Sequence, residues 1–276
     1  MKGTPFEKKA LNKINLEIKD GEFVGIIGHT GCGKSTLIQH FNGLLKPETG
    51  NIYIDGQLMN NSNIKEMRKK VGLVFQYPEY QLFESTVYKD IAFGIKNEGL
   101  SEEEERKRVI EAAEKTGLSE SLLENSIYDL SGGQKRRAAI AGIIVMNPQI
   151  LVLDEPAAGL DPAGRDEILG FARKLHDENG ITVILVSHSM EDVAKLADKV
   201  IVMHDSSVEM VGTPAEVFKN EKRLVEIGLS IPQMSSVFQS IGKELPELDI
   251  DTNIFTVEEA AKEILRVLNI NGGAIK

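Results

Sequence analysis

The chain has 276 residues, of which 41% are apolar and 27% charged, enough for one large folded domain, or one domain plus an appendix, and too apolar for wholesale disorder. Its 32 Lys and Arg stand against 42 Asp and Glu, a net charge of -10, which argues against a sequence-independent nucleic-acid binder, because that role needs basic surface. The single cysteine, Cys32, excludes an intramolecular disulfide and fits a reducing compartment.

The longest apolar run, Ala138 to Met146, is far short of the roughly 20 residues a spanning helix needs. Met1 to Leu11 is polar and lacks the apolar core of a signal peptide. A soluble, cytosolic chain is expected, one that docks on something else if it works at a membrane.

Short β-branched runs predict buried strands. The first is Phe23–Ile27, followed by a Gly-rich turn and a helix from about Gly33-Lys34 to about Asn42. No Ser, Thr, Asp or Asn caps that helix, so its first N–H groups are open to a ligand. Asn51–Ile54 with Asp55-Gly56 reads as a hairpin end. Val71–Phe75 is the next strand. A helix follows from Ser101, where Ser101 and Glu104 have capping-box spacing and Glu102–Glu105 form a solvated, dipole-favoured first turn. Ile150–Leu153, Thr182–Val186 and Val200–Met203 are further strands, and Ser207–Val211 is a second hairpin end. This alternation predicts an α/β domain whose core sheet is mostly parallel and covered on both faces. From about Lys222 the character changes. Pro232, Pro246 and a helical stretch Val257–Leu268 form a tail without phosphate or metal motifs, read as packing or dimer-contact structure. The expected domains are therefore 1–221 and an appendix, 222–276.

Gly28-His29-Thr30-Gly31-Cys32-Gly33-Lys34-Ser35 matches G-x-x-x-x-G-K-S, the P-loop, between a strand and a helix as that motif requires. Glycines let backbone N–H groups turn inward around phosphates, and the helix N-terminus adds partial positive charge. Lys34 is expected to reach the β- and γ-phosphates, Ser35 to ligate Mg²⁺, and Thr36 to continue the nucleotide-binding run. Cys32 fills a position that asks for a small side chain. Asp154-Glu155 ends a buried strand. Asp154 is the candidate Mg²⁺ ligand and Glu155 the candidate base that polarises the attacking water. Alone, such a pair reads as ordinary loop carboxylates; the P-loop upstream reverses that weighting.

Leu130-Ser131-Gly132-Gly133-Gln134, before Asp154, is a second Gly-rich helix start able to bind an anion. With it the sequence resembles the ATP-binding cassette (ABC) family, whose signature it is. The resemblance implies a P-loop NTPase fold of the ABC ATPase type, with a small antiparallel β subdomain, a helical subdomain carrying the signature, and the short C-terminal appendix. It implies ATP and Mg²⁺ as cofactors, and a head-to-tail dimer in which Ser131–Gln134 completes the partner's site. Gln76 fits the Q-loop glutamine that touches Mg²⁺. Asp161, in Ala158-Gly159-Leu160-Asp161, fits the D-loop, and His188 fits the switch histidine at the γ-phosphate.

Gln76 to Phe83, Thr86-Val87, Asp90 to Gly94, Gly28 to Gly31, and Lys135 to Gly142 narrow the likeness. They resemble the ATPases of energy-coupling factor (ECF) transporters, the second of their two ATPase types. That implies a chain peripheral to the cytoplasmic side of the cell membrane. Its implied partners are a related ATPase or a second copy of itself, a transmembrane coupling protein, and a membrane-embedded capture protein for a vitamin or transition-metal ion. The Tyr77–Phe83 segment is expected to line the groove for a coupling helix. Family members usually carry an N-terminal strand and an adenine-stacking aromatic ahead of Gly3-Thr4-Pro5-Phe6. The start is expected to be truncated or misassigned, or Phe6 or a neighbour substitutes. Ala157 replaces a common Thr, a mild departure.

The rival reading is a soluble, non-transport ABC ATPase. Repair types need a long coiled coil between P-loop and signature, and translation types need two cassettes; neither is present in this sequence. A cofactor-assembly ATPase stays open.

Overall fold

The computed structural model describes residues 9–268, so Phe6 and its neighbours lie outside the described residues. In chain order the elements begin with strand β1 (Phe23–Gly28), helix α1 (Lys34–Phe41), strands β2 (Tyr53–Ile54) and β3 (Gln57–Leu58), helix α2 (Ile64–Lys70) and strand β4 (Val71–Val74). Helices α3 (Val87–Ala92), α4 (Glu102–Lys115) and α5 (Gly132–Ile144) follow, then strand β5 (Ile150–Asp154), helix α6 (Pro162–Asn179) and strand β6 (Thr182–Val186). The chain continues through α7 (Met190–Leu196), β7 (Lys199–His204), β8 (Ser207–Gly212), α8 (Pro214–Phe218), α9 (Glu221–Glu226), α10 (Gln233–Glu244) and α11 (Val257–Val267).

These elements fall into two compact units, interleaved along the chain. One holds Glu17–Glu22 and Ser35–Val186. Its strands β4, β5 and β6 pair in parallel, with Val74 beside Leu153 and Leu153 beside Leu185. Val71–Val74 and Thr182–Val186 are buried at every position, the pattern of parallel strands covered on both faces. The β2–β3 hairpin turns through Asp55 (φ 49°) and Gly56 (φ 70°), a left-handed pair suited to the twist of a two-residue hairpin loop. Helices α3, α4 and α5 pack on one another as a helical layer that carries the signature. Ser101 caps α4 by accepting from the Glu104 N–H, and Glu105 leaves the solvated acidic turn to accept from the Tyr88 hydroxyl at 3.0 Å.

The other unit holds the described residues up to Leu16, Phe23–Lys34, and those from Ser187 on. Here β1 pairs in parallel with β7, which pairs antiparallel with β8. The β7–β8 turn runs through Asp205 (φ 42°) and Ser206 (φ 66°), a left-handed pair without glycine. Ser206 holds it, donating its N–H to Cys32 O at 3.1 Å and its hydroxyl to Lys9 O at 2.8 Å. In the C-terminal stretch Phe238, Ile254 and Ala260 form a small core of their own, with Met234 and Ile250 against it. Thr256 and Glu259 make a reciprocal capping box that starts α11. The strands are mostly parallel and alternate with helices, as the sequence predicts, with small boundary shifts. Val71–Phe75 ends one residue earlier, at Val74, and Val200–Met203 gains Lys199 and His204. Among the described residues no helix is long and apolar enough to cross a membrane.

Candidate functional site

The P-loop begins where β1 ends. All six residues of β1 are buried, which fixes the strand and delivers Gly28 at its carboxyl end. The Gly33 backbone is left-handed (φ 109°), and a Cβ there would meet Ala10 O at 2.5 Å, so no other residue fits without moving the backbone. Lys34 is buried and folds back over the loop, donating from Nζ to Gly28 O at 2.6 Å and His29 O at 3.2 Å. The loop carbonyls thereby position an ammonium over the turn. The next residue on, Ser35, lies in the first turn of α1, and Gly33 before that helix has no side chain to cap it. Cys32 is buried, with its thiol packed at Gly28, where a Cβ would come within 2.7 Å of Sγ.

In the other unit, β5 carries Asp154, buried, and hands on to Glu155. Glu155 takes a left-handed backbone (φ 50°), uncommon for a residue with a side chain, and donates its N–H to Val186 O at 3.0 Å. The parallel register explains what faces it. Val74 of β4 sits beside Leu153 of β5, and Gln76 and Glu155 each lie two residues further on. Gln76 Nε2 donates to Glu155 Oε2 at 3.1 Å. That leaves the amide oxygen of Gln76 to serve as an acceptor or ligand.

The signature opens α5. Ser131 Oγ accepts from the Gln134 N–H at 3.3 Å, while Gln134 Oε1 accepts from the Ser131 N–H at 2.9 Å, a full capping box. Ser131, Gly132 and Gly133 are exposed, and a Cβ on either glycine would meet nothing. The helix start is therefore an open surface rather than a packed turn. Asp161 caps α6, accepting from the Gly164 N–H at 2.8 Å, with Pro162 in the first turn. His188 is exposed in the turn between β6 and α7, and Ser189 beside it caps α7.

Arg136 carries a role that sequence reasoning missed. Its guanidinium is nearly sealed from solvent and donates to both Glu79 oxygens at 2.9 and 2.8 Å. It also donates to Pro156 O at 3.1 Å and Ala158 O at 3.0 Å, and lies over the Tyr77 ring. One side chain thus ties the signature helix to the Tyr77–Gln81 segment and to the turn after Glu155. In the sequence Arg136 stands in a basic triplet and nothing marks it as the buried member.

Around Gln81 the surface is aromatic. Tyr80 and Phe83 are exposed, and Phe83 meets Phe93 edge to face at 4.9 Å between centroids. A groove of about 370 Å³ lies beside Glu84, Tyr88, Lys89, Ala92, Phe93 and Lys96. Burial, reinforced by the hydrogen bond to Glu105, pushes the Tyr88 hydroxyl up to about 12, so it remains a neutral donor.

A strand leading through a Gly-rich loop into a helix, together with a parallel strand ending in the buried Asp154 and followed by Glu155, defines the P-loop ATPase class. Residues 11–158 match the ABC transporter family. The energy-coupling factor transporter ATP-binding protein EcfA2 of Acetivibrio thermocellus is 56% identical over 268 residues, covering 97% of this chain and 95% of that protein. The protein of the same name from Clostridium tetani is 56% identical over 272 residues, covering 98% and 94%. Among solved structures, cbiO1 from Clostridium perfringens, part of the ABC transporter complex cbiONQ, matches with a TM-score of 0.72 at 41% identity, covering 87% of this chain and 90% of that one. The dimeric cassette MJ0796, in a post-hydrolysis state bound to ADP and Pi, matches with a TM-score of 0.67 at 33% identity, covering 74% and 90%. The chain belongs to the ABC transporter family and, within it, to the ATP-binding, ATP-hydrolysing subunits of energy-coupling factor transporters.

Proposed function

We propose that this chain powers the uptake of a vitamin or a transition-metal ion by hydrolysing Mg·ATP at the cytoplasmic face of a membrane transporter. The partners in this reading are a related ATPase or a second copy, a transmembrane coupling protein and a membrane-embedded capture protein. The observation that carries the transport reading is the exposed aromatic pair Phe83 and Phe93, with Phe93 lining the groove of about 370 Å³. Phe93, Ala92 and Tyr88 give the groove an apolar strip among the charges of Glu84, Lys89, Lys96 and Glu105, a surface suited to an amphipathic helix from a membrane partner. Arg136 bonds Glu79, in the segment leading to Phe83, to the backbone just past Glu155, which links that segment to the hydrolytic residue. The likeness to cbiO1, itself part of a transporter complex, supports the same reading.

The backbone N–H groups from Gly28 to Ser35 and the Lys34 ammonium bind the phosphates, with His29, Thr30 and Thr36 flanking them. The Ser35 hydroxyl, the buried Asp154 carboxylate and the Gln76 amide oxygen form a hard oxygen donor set that suits Mg²⁺. Magnesium, when bound, neutralises charge on the phosphates. Glu155 orients a water and accepts its proton, held in place by Gln76. His188 serves at the γ-phosphate. The open start of α5, Ser131 to Gln134, faces the nucleotide of another subunit, with Asp161 in the turn at that interface. The C-terminal appendix, 222–276, supplies further dimer contact through the exposed apolar residues Val257, Ile264 and Leu268.

Expression with its membrane partners and purification in mild detergent tests the reading. An integral membrane protein should copurify, and Phe83→Ser should release it while ATP binding persists. Purification free of any membrane protein, with ATPase activity intact, would favour the cofactor-assembly reading instead.

A further inference from the structure

His29 is the second residue of the P-loop, His204 ends β7, and Asp205 opens the β7–β8 turn. The fold brings His29 to the adjacent pair His204 and Asp205, which lie far along the chain from it. One ligand atom from each lies within 4.8 Å of the other two. We propose that these three residues form a binding site for one divalent late-transition-metal ion, of the Zn²⁺ or Co²⁺ kind, at the base of the phosphate loop. This inference does not depend on the transport reading.

Three observations carry it. The first is a tautomer. His29 Nδ1 lies 2.9 Å from Thr30 O, and a carbonyl only accepts, so Nδ1 holds the proton. Its Nε2 then presents a lone pair, on the side of Asp205. A ring nitrogen fixed by a backbone carbonyl on its far side is the arrangement metal-ligating histidines use. The second is spacing. His29 Nε2 stands 3.8 Å from Asp205 Oδ1, and His204 Nε2 stands 3.4 Å from Asp205 Oδ2. Those separations are long for hydrogen bonds. They run to the two different oxygens of one exposed carboxylate, which would turn to offer a single oxygen, or offer both, to an ion with bonds of about 2.0–2.1 Å. The rings meet edge-on at 73°, so neither blocks the space between them. The third is an unexplained nitrogen. His204 Nδ1 is buried and has no hydrogen-bond partner among the described residues. Nδ1 faces the protein and cannot be the ligand, so Nε2, 3.4 Å from Asp205 Oδ2, is the ring nitrogen open to an ion.

Imidazole nitrogen with one carboxylate selects late transition metals over Mg²⁺ or Ca²⁺, which want oxygen. Asp205 is largely exposed, so water completes the coordination. The other acidic group nearby, Glu209, is taken by Arg223 at 2.7 Å, leaving Asp205 as the carboxylate of the site. An ion here would fasten His29 of the loop to a turn already bonded to it through Ser206 and Cys32 O.

The test is a Co²⁺ titration of the full chain without nucleotide, followed by visible absorption and reversed by Zn²⁺. One equivalent should produce the intense bands of a four-coordinate site. Asp205→Asn, on an exposed turn where Asn tolerates the left-handed backbone, should weaken Co²⁺ at least tenfold, as should His204→Ala. Asp154→Asn should leave Co²⁺ binding unchanged. The inference is overturned if Co²⁺ does not saturate near one equivalent, or if Asp205→Asn binds it as the parent does. It is also overturned if Asp154→Asn abolishes the signal, which would place the ion at the magnesium ligands.

Discussion

Gln76 Nε2 donates to Glu155 Oε2 at 3.1 Å, across two strands whose parallel register sets the residues side by side. The amide thus orients the carboxylate before any water arrives. Glu155→Gln should retain ATP binding and slow hydrolysis on the order of a hundredfold. Gln76→Ala should slow it less, about tenfold, by letting the carboxylate turn. Single-turnover hydrolysis with nucleotide affinity measured in parallel checks both, and near-parental turnover in Glu155→Gln would remove it as the base.

The Arg136–Glu79 pair lies inside the fold, so breaking it leaves a buried charge. Glu79→Gln should destabilise the protein by roughly 3 kcal/mol, read by urea denaturation. Arg136→Lys should not rescue, because an ammonium cannot reproduce four donor contacts in one plane. A shift under about 0.5 kcal/mol would show that the guanidinium is not a strut.

Gly33→Ala should abolish measurable ATP binding, since its Cβ collides with Ala10 O in a left-handed backbone. Circular dichroism should still show a folded protein. Cys32 is buried, so the folded chain should react with a bulky thiol reagent only on opening, far more slowly than in urea. Prompt modification without loss of nucleotide affinity would contradict the placement of the thiol beneath the loop.

In α11, Arg266 donates to Glu263 twice at 2.7 Å, and the Asp251 N–H adds a bond at 2.6 Å. These hold the carboxyl down from its ordinary 4.5 to about 2. A depressed carboxyl stabilises the fold fully above about 4.5 and loses that contribution as pH falls through about 2. Hydrogen-exchange protection of α11, corrected for the intrinsic rate, should fall between those pH values and should already be low at pH 7 in Glu263→Gln. An α11 equally protected at pH 2.5 and 7 would exclude this linkage.

The strands were legible because Phe23–Ile27 and Thr182–Val186 are β-branched runs bounded by Gly or Ser. The Asp55-Gly56 turn was legible from a dipeptide that prefers the left-handed backbone. The Asp205-Ser206 turn has no glycine, and only the polar residues around Ser207 pointed to it. Gln76 beside Glu155 was invisible in the sequence, because it depends on which strand neighbours β4. Arg136 was hidden for a similar reason: its partner lies 57 residues back, and a basic residue near a helix start ordinarily faces water.

The left-handed backbone of Glu155 places function and durability in competition. Glycine would relax that residue by about 1 kcal/mol, and asparagine by part of it. A campaign that ranks variants by melting temperature alone will therefore enrich Glu155→Gly and Glu155→Asn, returning sturdy proteins that hold nucleotide and never turn it over.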